Sequence, residues 1–272
     1  MTPEHSPLGK TSAYIDQYTP NLLFPISRKT KRDDIGVSTP LPFYGYDVWN
    51  AFEISWLNTK GKPIVAMAEI IVPAISAFLI ESKSLKLYFN SFNQTRFETE
   101  KHVQKHIIDD LSHATQSVVN VNLFLIDSIY SNTFENLKGI CLDDLDIEVS
   151  HYQPNPQLLF SENKIVSETV HSHLLKSNCL VTGQPDWGSV EIEYTGHQIN
   201  HAGLLQYLIS FRNHNEFHEQ CVERIFMDIT RQCKPAELNV YARYTRRGGL
   251  DINPYRSSKP DFQVKNPRLL RQ

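Results

Sequence analysis

Runs in which apolar and polar residues tend to alternate predict β-strands at several places along the chain. "DVWNAFEISWLN" (47–58), "SVEIEYTG" (189–196) and "LNVYARYTRRG" (238–248) are such runs. A period of two is the pattern of a strand with one buried face. The apolar run "PIVAMAEIIVPAISAFLI" (63–80) is interrupted by Glu69 and Pro73. It therefore predicts a buried strand and a turn rather than a membrane span.

Two other stretches place their apolar residues three to four positions apart. They are "FETEKHVQKHIIDDLSHA" (97–114) and "NEFHEQCVERIFMDITRQC" (215–233). This spacing is typical of an amphipathic helix. Strands come before a helix in both halves of the chain. That order predicts an α+β protein whose sheets are mostly antiparallel.

The two halves also resemble each other at an offset of 119 residues. Residues 81–93 align with 200–212, and residues 102–109 align with 221–228. Tyr88 matches Tyr207 in the first pair. Order and hydrophobic pattern are preserved together, which predicts a duplication. We therefore expect two modules, spanning residues 1–135 and 136–272.

Composition narrows the class of protein without identifying it. The chain has 272 residues, of which 40% are hydrophobic and 21% charged, as in an ordinary globular protein. A net charge of −3 offers no global basic field for nucleic acid, so direct binding to nucleic acid is not expected. The N-terminus lacks an apolar signal region, and the four cysteines form no closely spaced pairs. We therefore expect reduced thiols, a cytoplasmic protein and no contact with a membrane.

Cys179 is the candidate nucleophile. It lies just before a turn-forming run, Thr182–Pro185, and Asp186 follows on the far side of that turn. A lone cysteine is more often a small, inert core residue. A thiolate that attacks an electrophilic carbon would, however, benefit from a nearby acid that protonates the atom gaining charge. Both interpretations stay open from the residues alone.

Two further polar motifs have a structural and a functional interpretation. "FHE" (217–219) is either a polar helix start or a recognition site, in which a carboxylate accepts N–H bonds from a purine-like edge. "ESKSLK" (81–86) reads as a strand whose lysines, Lys83 and Lys86, point to different sides. It is either an exposed face or a partner for phosphate.

The segment "RRGGLDINPYRS" (246–257) places two arginines before two glycines. Glycine lets the backbone approach a ligand closely, and arginine binds phosphate through its fork of N–H groups. The surrounding tail is locally basic. It is suited to the phosphates of a dinucleotide, to an oligomer contact, or to solvent alone.

Other motifs are missing or incomplete. The chain has no G-x-G-x-x-G fingerprint, and Gly9-Lys10-Thr11 lacks the first glycine of a P-loop. His102 and His106 have the spacing of zinc ligands on a helix, but no third ligand is evident. A solvated helix face explains them better, and we expect no metal.

Together these motifs resemble one family, the NADPH-dependent 7-cyano-7-deazaguanine reductases of the long, two-module type (QueF). The resemblance is carried by "ESKSLKLYFNSFNQT", "NCLVTGQPDWGSV", "FHEQCVERIF" and "RRGGLDINPYRS". The N-terminal "LGKTSAYIDQYTPNLLFPISR" is also similar. The combination covers nearly the whole chain and is far more specific than any single motif.

The resemblance implies a fold and a reaction. The fold is a tandem pair of tunnelling-fold modules, each an antiparallel sheet with helices packed on one face, in a homodimer. The reaction is reduction of the nitrile of 7-cyano-7-deazaguanine to the amine of 7-aminomethyl-7-deazaguanine. It consumes two NADPH and feeds queuosine synthesis for tRNA. No metal is required.

The resemblance also assigns roles to residues. Cys179 would attack the nitrile carbon to form a thioimide, and Asp186 would supply the proton. The residues it implies for the substrate are Ile80, Glu81, Ser82, Phe217, His218 and Glu219. The residues it implies for NADPH are Ser82, Lys83, Arg247 and Gly248.

Two other hypotheses predict different observations. A zinc-dependent purine or pterin cyclohydrolase of the same fold would contain bound zinc. A non-catalytic purine-binding protein would keep its ligand after loss of Cys179. The intact pair of Cys179 and Asp186 argues against the second hypothesis.

Overall fold

The computed structural model describes residues 13–126 and 134–272. The described chain forms two compact units. The N-terminal unit consists of residues 13–30, 46–126 and 246–252, and the C-terminal unit consists of residues 31–45, 134–245 and 253–272. The beginning of the N-terminal motif and the rejected P-loop, residues 8–12, lie outside the described residues. The predicted boundary after residue 135 stays a prediction.

The N-terminal unit is built on antiparallel strands. Its elements are β1 (Pro25–Ser27), β2 (Tyr44–Leu57), β3 (Pro63–Pro73), β4 (Phe78–Ile80), β5 (Asn120–Leu125), α2 (Ser82–Asn90) and α3 (Glu100–Thr115). The strand order is β5–β3–β2, and β1 pairs with β4. Alternate residues of β3, from Ala66 to Val72, are buried. They pack with Val103, Ile107 and Leu111 of α3, which recur every four residues.

The C-terminal unit repeats this arrangement. Its elements are β6 (Ile140–Cys141), β7 (Ser161–Ser172), β8 (Lys176–Asn178), β9 (Pro185–Ile199), α4 (His201–Ser210), α5 (His218–Cys233) and β10 (Glu237–Tyr244). Three elements, α1 (Arg28–Asp34), β11 (Leu250–Ser257) and, through its first two residues, β2, extend the C-terminal unit into segments shared with the N-terminal unit. The strand order is β11–β10–β9–β7–β6, with β8 added to β9. These pairs are antiparallel except for the short β6–β7 pair.

The internal repeat is visible in matching hydrogen bonds. Tyr88 donates to Asp110 at 2.6 Å in the N-terminal unit, and Tyr207 donates to Asp228 at 2.7 Å in the C-terminal unit. Asp109, which the constant offset aligned with Asp228, is exposed on α3 and pairs with a lysine instead. Because α3 and α5 match at an offset of 118, the alignment of this helix was wrong by one residue.

The strand predicted over residues 81–86 is also wrong, because this segment starts α2. The Glu81 carboxylate accepts hydrogen bonds from the backbone N–H groups of Lys83 and Ser84, which caps the helix. Leu85, Tyr88 and Phe89 then lie on one buried face at helical spacing. The alternation seen in "ESKSLK" is too short to compete with this packing.

The predicted fold class is confirmed. The chain is α+β, and it contains two modules that each combine an antiparallel sheet with helices. Among the residues that the structure describes, no helix is both long enough and apolar enough to cross a membrane.

Candidate active site

The candidate nucleophile lies at the turn of a hairpin in the C-terminal unit. Ser177 of β8 pairs with Asp186 of β9, and Cys179 follows directly after β8. The Cys179 amide donates to Gln184 O at 2.8 Å, and Gly183 N donates back to Cys179 O at 3.0 Å. Since residues two apart on a strand share a face, the side chains of Cys179 and Asp186 are expected on the same side of the hairpin.

Both side chains are withdrawn from solvent. Cys179 is 3% exposed and Asp186 is 6% exposed. Asp186 Oδ2 lies 3.4 Å from Nε2 of His218. At that distance a proton can pass between the carboxyl group and the imidazole, away from bulk solvent. A thiol, a carboxyl group and an imidazole thus belong to one unit.

The start of α5 carries the predicted recognition residues. Phe217 is the N-cap, His218 is the first helical residue, and Glu219 lies in the first turn with 2% exposure. The segment before the helix is held beside the hairpin, because Asn178 N donates to His214 O and Glu216 N donates to Asn178 O. These bonds place the start of α5 next to the residue that precedes Cys179.

An ion pair anchors that same segment. Glu216 is 1% exposed and accepts two hydrogen bonds from Arg224, at 3.0 and 2.8 Å, and lies 3.0 Å from His214 Nε2. Burial alone would raise the pKa of Glu216, but His214 and Arg224 hold that pKa below its ordinary value. The segment is therefore fixed by a buried, ionised carboxylate.

Tyr244 is a site residue that the sequence did not reveal. Its ring stacks on the His218 imidazole, with centroids 3.8 Å apart and an interplanar angle of 4°. Burial, followed by the nearby Cys221 and Asp186, raises the pKa of the Tyr244 hydroxyl well above its ordinary value. Burial likewise raises the pKa of the Cys221 thiol, which keeps that thiol protonated. An aromatic residue on the inner face of β10 carries no sequence signal for this stacking.

His218 retains an unused hydrogen-bonding atom. Its Nδ1 is buried and has no hydrogen-bond partner among the described residues. Buried polar atoms are normally satisfied, and an exception often marks a place where a ligand binds. This atom is suited to contact a polar substrate.

The remaining predicted substrate residues lie in the N-terminal unit, where β4 leads into α2. Ile80 ends β4, and Glu81 is fully buried as the cap of α2. Burial raises the pKa of Glu81, although the backbone N–H groups of Lys83 and Ser84 oppose this shift. The structure thus gives Glu81 a capping role, and its contact with the substrate stays a prediction.

The predicted NADPH residues meet in the same unit. Arg247 N donates to Leu250 O at 2.9 Å, which closes a two-residue turn. Gly248 and Gly249 form that turn with φ of +59° and +75°, a conformation that glycine adopts without strain. A Cβ on Gly248 would lie 3.0 Å from Cε of Lys86, so α2 packs directly against the turn.

This surface is cationic. Ser82 and Lys83 are in the first turn of α2, with Lys86 one turn later. The Arg246 guanidinium lies 3.5 Å above the centre of the Phe52 ring. Lysines and arginines next to a glycine turn fit the phosphates of a dinucleotide. The Glu53 carboxyl group packs against Gly249 and is an acidic group at the same turn. Lys86 and Arg246 were not among the predicted cofactor residues.

The predicted residues therefore fall into two groups. The structure brings Cys179, Asp186 and the start of α5 together in the C-terminal unit. It brings the start of α2 and the glycine turn together in the N-terminal unit.

Comparison with known proteins identifies the family. Residues 14–123 match the family described as "Nitrile reductase, 7-cyano-7-deazaguanine-reductase N-term", and residues 185–261 match the family "QueF-like protein". The protein named NADPH-dependent 7-cyano-7-deazaguanine reductase of Polaromonas sp. is 58% identical over 100% of this chain and 99% of its own length. Proteins of the same name from Azoarcus sp. and Cupriavidus taiwanensis are 57% and 58% identical, each over 99% of this chain and over 96% and 99% of their own lengths. The family predicted from the motifs is confirmed, and the chain belongs to the NADPH-dependent 7-cyano-7-deazaguanine reductases.

Proposed function

We propose that this protein reduces the nitrile of 7-cyano-7-deazaguanine to the primary amine of 7-aminomethyl-7-deazaguanine, through a covalent thioimide on Cys179. The observation that carries the proposal is the hairpin that carries both Cys179 and Asp186 as buried side chains, with Asp186 paired to Ser177, in a chain that belongs to this family. A thiol and a carboxyl group in a dry site are what addition to a nitrile needs.

The first step needs only groups of this chain. The Cys179 sulfur forms a bond to the nitrile carbon, and one π bond of the nitrile breaks. The nitrogen takes a proton from Asp186, which in turn receives the proton of the thiol. No net change in oxidation state occurs, and the product is a thioimide. His218, 3.4 Å from Asp186, can relay that proton.

When held by Ser82, Lys83, Arg247 and Gly248, two NADPH in succession would each supply one hydride, the first for the thioimide carbon and the second for the imine carbon that follows. Between these events the C–S bond breaks and Cys179 leaves as a thiolate. Each hydride is accompanied by one proton. The balance is one nitrile, two NADPH and two protons giving one amine and two NADP⁺.

We assign the binding roles to the two groups of residues. Ser82, Lys83, Arg247 and Gly248 hold NADPH through the cationic surface and the glycine turn. Glu219 and Glu81 accept hydrogen bonds from the purine-like edge of the substrate. Ile80, Ser82, Phe217 and His218 complete the substrate pocket.

The proposal includes the setting of the reaction. The amine feeds queuosine synthesis, so the partner is a small molecule and the protein does not bind tRNA itself. We also propose that it works in the cytoplasm as a homodimer, with no membrane contact and no metal required for the reaction.

Intact-mass measurement tests the covalent step. The purified protein is mixed with 7-cyano-7-deazaguanine without NADPH, alongside Cys179→Ala and a control, Cys233→Ser. We expect the wild type and the control to gain the mass of the whole substrate and to lose it when NADPH is added. Absence of the adduct on reduced wild-type protein, or its presence on Cys179→Ala, would overturn the mechanism.

A further inference from the structure

Three metal-binding side chains lie together in the C-terminal unit, outside the proposed active site. Cys141, His171 and His173 each place one donor atom within 4.8 Å of the others. Cys141 of β6 pairs with His171 of β7, and His173 follows two residues later. The sheet pairing therefore brings Cys141 beside His171, and the bend after β7 brings the His173 imidazole to the same place.

The two imidazoles are oriented by hydrogen bonds of the kind that metal ligands make. His171 Nδ1 lies 2.8 Å from the backbone oxygen of Lys138. A carbonyl oxygen only accepts hydrogen bonds, so Nδ1 carries the proton and Nε2 keeps its lone pair. His173 Nδ1 lies 2.8 Å from Ser189 Oγ. The carbonyl partner fixes the tautomer of His171, and both outer partners fix the direction of their imidazoles.

The residues around the three donor side chains carry charges of both signs, and the donors can be reached from solvent. Asp143 accepts a hydrogen bond from His173 N at 2.9 Å, and it partly offsets the positive charge of Arg271, which donates to His173 O at 2.8 Å. Cys141 is exposed, and His173 lines a cavity of about 400 Å³. An ion can therefore reach the three donors from solvent.

The donor set selects the class of ion. One thiolate and two neutral imidazoles favour a borderline-soft divalent cation over magnesium or calcium, which prefer oxygen ligands. Tetrahedral zinc with bonds of about 2.0 Å to nitrogen and 2.3 Å to sulfur would set the donors about 3.3 to 3.6 Å apart, so modest side-chain rotation closes the site. Water would take the fourth position.

We propose that Cys141, His171 and His173 bind zinc and thereby clamp the two-residue strand β6 onto β7. Binding converts the Cys141 thiol to a thiolate and releases its proton to solvent. The three residues have no role in the proposed reduction, so this site is independent of the proposed function. It also differs from the zinc of a cyclohydrolase, since it uses neither Cys179 nor the start of α5.

Cobalt substitution tests the ligands directly. The full-length protein, reduced and freed of metal with a chelator, is titrated with Co²⁺ and then with Zn²⁺. We expect one equivalent of Co²⁺ to produce a thiolate-to-cobalt charge-transfer band, which Zn²⁺ abolishes. Cys141→Ser should lose the band, and His171→Asn or His173→Asn should weaken Co²⁺ binding at least tenfold.

Matched variants locate the site. Cys179→Ala and the pair His102→Asn, His106→Asn should keep the full band, which separates this site from the proposed nucleophile and from the histidines of α3. No thiolate band in the wild type, or an unchanged band in Cys141→Ser, would overturn the proposal.

A second measurement does not depend on how the variants fold. Cys141 is exposed, whereas Cys179, Cys221 and Cys233 are buried, so a thiol reagent should label Cys141 first. Zn²⁺ should slow the labelling of Cys141 in the wild type at least tenfold, as read by peptide mapping. An equal labelling rate with and without Zn²⁺ would contradict zinc ligation by this thiol.

Discussion

The imidazole of His218 and the phenol ring of Tyr244 lie face to face, with centroids 3.8 Å apart and planes 4° from parallel. Nε2 of the same imidazole lies 3.4 Å from Asp186, the proposed proton donor. Tyr244 thus packs against the ring that lies beside the proposed catalytic acid. We expect Tyr244 to act as a positioning residue, through its contact with His218.

This relationship predicts different results for two variants of Tyr244. Tyr244→Phe keeps the stacked ring and should stay within a few-fold of the wild type in kcat/KM. Tyr244→Leu removes the aromatic surface, whose interaction contributes about 1 kcal/mol, and should lower kcat/KM about fivefold. Steady-state rates measured from pH 5 to 9 check this.

The pH profile separates positioning from mere stability. Tyr244→Leu should shift the pH–rate profile, because the proton partner of Asp186 has lost its fixed plane, whereas Tyr244→Phe should not. A Tyr244→Leu enzyme with the wild-type rate and profile would refute the positioning role.

The cationic surface of the N-terminal unit predicts a separation of cofactor binding from covalent chemistry. Lys83→Ala and Arg247→Ala should each raise KM for NADPH about tenfold or more, because a hydrogen bond to a charged group contributes about 1.5 to 3 kcal/mol. Both variants should still form the substrate adduct without NADPH. Initial rates and intact mass check the two effects.

Lys101→Ala is the matched control, since Lys101 is exposed on α3. Its KM for NADPH should equal that of the wild type. Loss of adduct formation in Arg247→Ala would show that this residue does more than hold the cofactor.

Much of this arrangement could be predicted from the sequence, and the reasons are local. The helices around Val103 and Val222 have a long, clear periodicity of apolar residues. Gly183 and Pro185 indicate the turn between Cys179 and Asp186. The strand predicted at Glu81 failed because capping and burial outweigh a six-residue alternation.

Contacts between distant segments were beyond sequence reasoning. Tyr244 stacks on His218 because strand β10 and helix α5 pack together, and no spacing rule encodes that. Cys141 is likewise separated from His171 by a stretch whose pairing with β7 only the fold reveals. Register and packing, rather than residue type, create both relationships.

Two glycines with similar backbone conformations predict unequal costs of substitution. Gly139 has φ +79°, and a Cβ there would lie 1.9 Å from Thr169 O. Gly183 has φ +67°, and a Cβ there would meet nothing within 4 Å. Gly183→Ala should lower the free energy of unfolding by about 1 to 2 kcal/mol, the cost of a left-handed non-glycine residue.

Gly139→Ala should lower the free energy of unfolding by more than Gly183→Ala does, because the backbone at Thr169 must shift as well. Urea unfolding of the two variants beside the wild type checks this difference. Equal losses of stability would mean that β6 can move away from Thr169 at little cost.

The buried Glu216–Arg224 pair predicts how the free energy of unfolding depends on pH. The pKa of Glu216 is lower in the folded protein than in the unfolded chain, since His214 and Arg224 outweigh the effect of burial. A lowered carboxyl pKa means that the unfolded chain binds the proton more tightly. The stabilisation is therefore present above the unfolded pKa of about 4.5 and is lost as the pH falls through the folded pKa.

Glu216→Gln should remove this stabilisation and leave Arg224 without its charged partner. At pH 7 the free energy of unfolding should fall by about 3 kcal/mol, as when one member of a buried ion pair is deleted. The difference from the wild type should shrink below pH 4.5, because the wild-type carboxylate is then being protonated.

Asp109→Asn is the control, since its pair with Lys105 is exposed and should contribute less than about 1 kcal/mol at any pH. Urea unfolding at several pH values from 3 to 7 measures all three proteins, and a pH-independent loss in Glu216→Gln would contradict the role of the ionised carboxylate. Because Glu216 N also donates to Asn178 O, beside Cys179, the same acid range should loosen the hairpin that holds the proposed nucleophile.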